Sequence, residues 1–88
     1  MASYSVTVEV RLREGIADPQ GSTIERSIPA LGFKGVSAVR VGKCIRMTVE
    51  ASDEVKAREK VQELCQKFLT NPVIEDSEIT IENPVSVG

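Results

Sequence analysis

Few residues of this 88-residue chain could do chemistry, and none of them is a histidine. The chain therefore lacks the side chain that most often serves as a general base or metal ligand near neutral pH. Four acidic residues lie close together near the last predicted strand: Glu75, Asp76, Glu78 and Glu82. Carboxylates can bind a divalent cation, but this spacing is common by chance on an exposed strand. The sequence therefore predicts no metal site.

The cysteines and glycines give no stronger signal. Cys44 and Cys65 are too few for a disulfide framework and are not spaced as a metal or redox pair. Cys65 falls on the apolar face of a predicted helix and is expected to pack there, whereas Cys44 lies on the face of a strand opposite the core, with no base to activate it. The glycines form no phosphate-binding loop, and Gly42-Lys43 alone is a weak phosphate signal. We expect no catalytic or cofactor-binding residue on this chain.

The composition, length and net charge limit the kind of protein this chain can be. The sequence is 41% hydrophobic and 27% charged, which is typical of a folded domain, and its length allows one core. A net charge of −2 gives no reason to expect nucleic acid or an anionic membrane as a partner. No apolar run approaches the roughly 18 residues of a spanning helix, and no signal-peptide core follows the first residues. We expect a cytoplasmic protein with one domain, residues 1–82, and a flexible tail, residues 83–88.

The first third of the chain predicts a strand followed by a helix. Apolar and polar residues alternate over residues 4–12, the period-two pattern of a strand with one buried face. Asp18 is a good N-cap, and Pro19 fits the first helical position because an N–H there has no intrahelical partner. Pro29 removes a helical hydrogen bond, so the helix is expected to loosen near residues 26–28 and to end at Gly32.

The remainder predicts two strands, a second helix and a last strand. Residues 36–41 and 44–50 are β-rich and flank Gly42-Lys43, which predicts a β-hairpin. Asp53 caps the second helix, whose apolar stripe is the strongest in the chain: Val61, Leu64, Cys65, Phe68 and Leu69. Asn71-Pro72 stops that helix, and residues 73–82 supply the last strand.

This βαββαβ order predicts an α+β fold of the split-βαβ, ferredoxin-like type. We expect one four-stranded antiparallel sheet with both helices on one face. The open face would carry polar residues and can be solvated or can dock a second sheet: Thr7, Glu9, Arg11, Arg46, Thr48 and Glu50.

Other protein families share this order of elements, and each needs particular functional residues that can be looked for in this sequence. An RNA-recognition domain needs aromatic residues on its central strands, and only Tyr4, at the start of one strand, is available. A metallochaperone needs a CxxC motif in the first loop, and an acylphosphatase needs an Arg and an Asn in a phosphate-binding loop; both are missing. An ACT-like ligand-sensing regulatory dimer remains as the alternative.

Three segments together resemble the PurS family, the small subunit of phosphoribosylformylglycinamidine (FGAM) synthase. They are Leu12-Arg13-Glu14-Gly15-Ile16 with Asp18-Pro19-Gln20-Gly21, then Leu31-Gly32-Phe33 with Val39-Arg40-Val41-Gly42-Lys43, and finally Asn71-Pro72-Val73-Ile74-Glu75-Asp76. The resemblance runs over residues 4–82. Two positions depart from the family pattern, because Pro29 lies inside the first helix and Ser77 stands where an aromatic residue is frequent.

The resemblance implies a structural subunit of a glutamine-dependent ligase complex in purine synthesis. A glutaminase subunit would release ammonia, and a large synthetase subunit would use ATP and magnesium, so no cofactor is expected on this chain. The small subunit, as a dimer or a tetramer, would bridge the two and help enclose the ammonia path. Polar residues that the turns do not need are the candidate partner-binding residues: Gln20, Arg40, Lys43, Glu75 and Asp76.

Overall fold

The computed structural model describes residues 1–84 and contains one antiparallel sheet and two α-helices. Strands β1 (Ala2–Leu12), β2 (Lys43–Ala51) and β3 (Glu75–Pro84) form the sheet in the order β2-β1-β3. Helix α1 (Pro19–Ser27) and helix α2 (Glu54–Leu64) lie between the strands in sequence. No helix in residues 1–84 is long and apolar enough to cross a membrane. The last four residues of the predicted tail, 85–88, lie outside the described part of the chain.

The core lies between one face of the sheet and α2. Along β1 the even-numbered residues face this core, and Val6, Val8 and Val10 are at most 1% exposed. On α2 the buried residues are Ala57 and Val61, and this helix packs against both β2 and β3. The alternation predicted for β1 is confirmed, because a strand with one covered face needs apolar residues at every second position.

The predicted hairpin is wrong, so the sheet has three strands rather than four. Residues 36–41 form no strand, and β2 begins at Lys43, which pairs with Val10. The backbone N–H groups that a hairpin would use are bonded by helix α1 instead. The N–H of Val39 donates to Glu25 Oε1 at 2.9 Å, and the N–H of Val41 donates to Asp18 Oδ2 at 2.8 Å.

Helix α1 ends as its sequence predicts but does not cover the sheet. It stops at Ser27, and a 3-10 turn over Pro29–Leu31 follows, because Pro29 cannot continue the α-helical hydrogen bonds. Gly32 closes that turn with φ 90°, and its N–H donates to the Pro29 carbonyl at 3.0 Å. The buried residue of α1 is Gly21, so the expectation that both helices cover one face holds for α2 alone.

The end of α2 departs from the predicted apolar stripe. A π-helical turn over Cys65–Leu69 follows the helix, and Thr70 closes it by donating both its N–H and its hydroxyl to the Cys65 carbonyl at 3.0 and 2.9 Å. Cys65 stays buried, whereas Phe68 is 80% exposed. The wider turn adds a residue to the repeat, so Phe68 no longer lies over the core face as an α-helical spacing would place it.

The chain is thin and extended. Its radius of gyration is 17.0 Å, against about 12 Å for a compact domain of this length. Its extents are 52 × 34 × 15 Å. Several large apolar side chains of the α1 lobe (residues 18–41) are exposed: Ile24, Leu31, Phe33 and Val36. A single chain therefore leaves much of its apolar surface in solvent.

Candidate functional site

Parts of all three sequence motifs meet at one end of the sheet, whereas Leu31-Gly32-Phe33 of the second motif lies in the α1 lobe. Strand β1 ends there at Leu12, β2 begins there at Lys43 and β3 begins there at Glu75. Helix α1 also begins there, since Asp18 bonds the N–H of Val41 just before β2. We call this region the motif end; it comprises residues 10–21, 39–43 and 69–76. All five predicted partner-binding residues lie in it.

Asp18 does more at the motif end than cap a helix. Its Oδ1 accepts the N–H of Gly21 at 2.9 Å, which is the N-cap bond expected from the sequence. Its Oδ2 accepts the N–H of Val41 at 2.8 Å and lies 4.0 Å from Nε of Arg40. The side chain is only 6% exposed. We call this arrangement of Asp18, Gly21, Val39, Arg40 and Val41 the Asp18 clasp, because it ties the start of α1 to the segment before β2.

The clasp sets the ionisation of Asp18. The backbone N–H groups of Val41 and Gly21 lower the pKa of this carboxyl below its ordinary value of 3.8. Desolvation opposes the shift, and the Arg40 guanidinium adds to it. Asp18 is therefore a carboxylate at neutral pH whose oxygens are taken by the backbone, which suits a structural acceptor and not a general acid.

Two glycines allow the close approach on which the clasp depends. A Cβ on Gly21 would lie 2.5 Å from the Val39 carbonyl oxygen and 2.7 Å from Asp18 Oδ2. A Cβ on Gly42 would lie 2.6 Å from the Val10 carbonyl oxygen. Real Cβ contacts are never this short, so both motifs need glycine for packing. The sequence indicated turns at these positions but not that the two motifs touch.

A groove of about 680 Å³ opens beside the clasp and collects three of the five predicted residues. Gln20, Lys43 and Glu75 line it together with apolar residues from β1, the loop before α1, α1 and the clasp: Val10, Leu12, Ala17, Pro19 and Val41. Lys43 Nζ also lies 3.4 Å from the Leu69 carbonyl oxygen, a long contact that leaves most of its charge to solvent. This groove therefore joins apolar surface to a polar rim.

Arg40 and Asp76 lie in depressions that adjoin the groove. Arg40 lines one of about 560 Å³, which shares Leu12 and Val41 with the groove, and its Nη2 donates to the Ile16 carbonyl at 3.2 Å. Asp76 lines another of about 500 Å³, and its Oδ1 lies 3.2 Å from Nε of Arg13 in an ion pair. The five residues thus surround one end of the molecule without converging on a single point.

Glu75 has a local role that the sequence did not reveal. Its Oε1 accepts the N–H of Asn71 at 2.7 Å, and the Asn71 carbonyl accepts the N–H groups of Ile74 and Glu75 in return. Asn71 Oδ1 also accepts the N–H of Val73 at 3.1 Å. These bonds fix the turn and hold Val73 in solvent, 78% exposed. The signal was a possible Asx turn at Asn71, but the return contact of Glu75 needs the fold.

These contacts make the motif end a surface whose loops are joined by hydrogen bonds. Among residues 1–84 no group of three or more His, Cys, Asp or Glu side chains is placed to hold a metal ion. Cys65 is buried and Cys44 is exposed on the opposite face of the sheet, where it pairs with Glu9. The geometry fits contact with another protein better than chemistry on a small molecule.

Comparison with known proteins identifies the family of this chain. Residues 5–83 match the family described as PurS, phosphoribosylformylglycinamidine (FGAM) synthase. The chain is 43% identical over 79 residues to the PurS subunit of FGAM synthase from Methanocaldococcus jannaschii, covering 90% of this chain and 95% of that one. The PurS subunit from Bacillus subtilis is 39% identical over 83 residues, which cover 94% of this chain and 98% of that one.

Solved structures agree with the sequence comparison. The crystal structure of M. jannaschii PurS superposes with a TM-score of 0.81 at 41% identity, covering 91% of this chain and 96% of that one. A chain in the structure of PurLQS from Thermotoga maritima superposes with a TM-score of 0.86 at 35% identity, covering 93% and 100%. The match spans all three motifs of the motif end. This chain therefore belongs to the PurS family of FGAM synthase subunits.

Proposed function

We propose that this chain is the non-catalytic subunit that bridges the glutaminase and synthetase subunits of FGAM synthase in the cytoplasm and helps enclose the path of ammonia between them. The complex converts formylglycinamide ribonucleotide, ATP, glutamine and water to FGAM, ADP, phosphate and glutamate. The observation that carries the proposal is the full-length match to a chain of the PurLQS structure. Family membership replaces the alternative of a ligand-sensing dimer.

The way the motif end uses its polar groups supports a role without chemistry. Asp18 accepts two backbone N–H groups, Glu75 accepts one, and Arg40 donates to a backbone carbonyl. These charged groups are committed to holding the surface in shape. A preorganised surface loses less conformational entropy on binding, which suits a subunit that orders two larger partners.

The proposal includes self-association to a dimer, and the uncovered α1 lobe supports it. The stripe predicted on α1 has no sheet beneath it, and Leu31 and Phe33 are 73% and 61% exposed. On the core face of the sheet, four apolar side chains that pack against the core are only partly buried: Ile45, Met47, Ile79 and Ile81. The α1 lobe of one copy can cover this part of the sheet of a second copy, which would bury both surfaces.

The segment at residues 36–41 supports the same arrangement. Val39 and Val41 direct their N–H groups toward α1, where carboxylates accept them. The backbone N–H of Arg40, between these two residues, donates no hydrogen bond within residues 1–84, so it is available to pair with a strand of a second copy. Light scattering on the purified chain is expected to give twice the monomer mass, and Phe33→Ser with Leu31→Ser is expected to shift it toward monomer. A wild-type monomer at all concentrations would contradict the dimer.

Lys43 provides the sharpest single-residue test of the bridging role. It lines the groove and makes only one long contact, so Lys43→Glu changes the charge of the motif end without removing a clasp bond. Lys56→Glu, on the solvent side of α2 at the other end of the sheet, is the matched control. We expect Lys43→Glu to reduce co-elution with the glutaminase and synthetase subunits and the control to leave it unchanged. Equal co-elution of both variants would show that Lys43 makes no partner contact.

Arg40 is less suited to this test than its sequence position suggested. It lies beside the Asp18 carboxylate and donates to Ile16. Arg40→Glu would place a second negative charge next to a buried one and weaken the clasp as well as any interface. An effect of that variant on assembly therefore needs a parallel measurement of stability.

A further inference from the structure

The open face of the sheet is a polar surface that no element of the described chain covers. The odd-numbered residues of β1 and their register partners on β2 and β3 form it. Thr7 lies at its centre between Arg46 and Thr80, and Ser5 lies between Thr48 and Glu82. We call this surface the open face. The sequence placed Thr7, Glu9, Arg11, Arg46, Thr48 and Glu50 on it, and the register confirms all six.

The negative charge of the chain is concentrated on the open face. Its strand residues include two basic side chains, Arg11 and Arg46, and five acidic ones: Glu9, Glu50, Asp76, Glu78 and Glu82. Their formal charge is −3, while the whole chain carries −2, so everything else sums to +1. The open face is therefore more acidic than the rest of the molecule taken together.

Intramolecular pairs neutralise only part of this charge. Arg11 forms an ion pair with Glu78 at 3.0 Å, and Arg13, just beyond β1, forms one with Asp76 at 3.2 Å. None of the ion pairs found in residues 1–84 includes Glu9, Glu50 or Glu82. Glu9 also lies directly across from Glu78 on the neighbouring strand, a like-charge pair that disfavours the isolated sheet. Basic side chains of a partner protein would neutralise the unpaired carboxylates and reduce the repulsion between Glu9 and Glu78.

We propose that the open face docks a basic protein surface, rich in Lys and Arg, on one of the larger subunits of the synthase; this inference rests on the proposed bridging function. Net charge disfavours a second copy of the same face, because two such faces would meet with −3 against −3. Three strands about 4.8 Å apart and roughly 30 Å long present about 400 Å². That is half of what one partner of a standard interface buries, about 800 Å².

The motif end supplies the remaining area. Arg11 and Asp76 pair at the edge of the open face, and both also line depressions of the motif end. The two surfaces are therefore continuous around the end of the sheet. A partner whose basic surface lies on the open face would reach the groove with its neighbouring residues.

The test reverses charge on the open face without touching an observed contact. Glu9→Lys with Glu82→Lys changes two carboxylates that make no ion pair within residues 1–84. Glu59→Lys with Glu63→Lys makes the same charge change on α2, where each glutamate pairs with an exposed lysine. Affinity of the intact chain for each purified larger subunit is measured by titration calorimetry in about 50 mM and about 300 mM NaCl. We expect the open-face variant to bind one subunit at least about tenfold more weakly at low salt, and the α2 control to stay within about twofold.

The possible outcomes distinguish the open-face docking from the bridging function. If both variants bind like the wild type, the open-face docking is wrong while the bridging function stands. If the open-face variant changes the mass of the free chain by light scattering and keeps partner affinity, the face pairs copies of this chain and the inference is overturned. If the wild-type chain binds neither subunit, the bridging function fails and the docking with it. Glu9→Gln with Glu82→Gln, which removes the two charges without reversing them, is expected to bind the subunit with an affinity between those of the wild type and the lysine variant.

Discussion

We expect Gly21→Ala to destabilise the protein, although a glycine-to-alanine change within a helix usually stabilises it. The Asp18 clasp is the reason for this difference. Replacing a helical glycine by alanine normally stabilises a protein by about 0.5–1 kcal/mol, because alanine has the higher helix propensity. Gly21 is in the first turn of α1, and its φ is not in the left-handed region, so its backbone is compatible with alanine. The new methyl group, however, would lie 2.5 Å from a backbone oxygen of Val39.

The clash outweighs the gain in helix propensity. The Val39 carbonyl belongs to the backbone that Glu25 and Asp18 hold on either side, so it cannot move without lengthening those bonds. Overpacking in a closely packed region costs about 1–3 kcal/mol, and a gain of up to about 1 kcal/mol offsets part of it. We expect Gly21→Ala to be less stable than the wild type by about 1–2 kcal/mol, which is about 5–15 °C in Tm for a domain of this size.

Ser22→Ala is the matched control, since it makes the same product residue one position later on the exposed side of α1. Thermal unfolding of the three proteins is followed by circular dichroism at one fixed protein concentration, because a dimer's Tm depends on concentration. The control is expected to be as stable as the wild type or slightly more so. A Gly21→Ala protein that melts at or above the wild-type Tm would refute the close packing of the two motifs.

Three further predictions follow from the burial and charge of single residues. The lowered pKa of Asp18 means that its stabilising effect is complete above the ordinary value of 3.8 and is lost as the pH falls toward the lower folded-state pKa. Tm measured from about pH 7 down to about pH 2 is expected to fall less steeply at the acid end for Asp18→Asn than for the wild type; parallel curves would contradict this. Val61→Ala, at a fully buried position, is expected to lower the free energy of unfolding by about 1.5–3 kcal/mol, whereas Val55→Ala on the exposed side of α2 is expected to change it by at most about 0.5 kcal/mol, as urea titration would show. Phe68→Ala should likewise have little effect on stability, and a loss of several kcal/mol would mean that Phe68 is covered in the assembly.

The sequence predicted those parts of the fold that depend on local pattern. The alternation of β1, the Asp18 and Asp53 caps, the loosening at Pro29 and the closing Gly32 are all present, because each depends on neighbours within a few residues. The residues expected on the open face lie there for the same reason, since a strand's pattern alone decides which side chains share a face.

The failures come from contacts between residues far apart in the chain. Residues 36–41 have strand composition, but carboxylates 14 and 23 residues away bond their N–H groups, so no hairpin forms. Phe68 continues an apolar stripe, but a π-helical turn held by Thr70 displaces it. The same limit applies to the candidate site. The resemblance identified its residues, but the hydrogen bonds of Arg40 and Glu75 could not be predicted because they join segments that meet only in the folded chain.

The bridging role is tested most directly by FGAM synthesis with the cognate glutaminase and synthetase subunits, with and without this chain, using either glutamine or ammonium as the nitrogen donor. A subunit that joins the two and encloses the ammonia path matters only when nitrogen has to pass between them. We therefore predict that turnover with glutamine requires the chain and that turnover with ammonium does not. Glutamine-driven turnover that proceeds equally well without the chain would contradict the account.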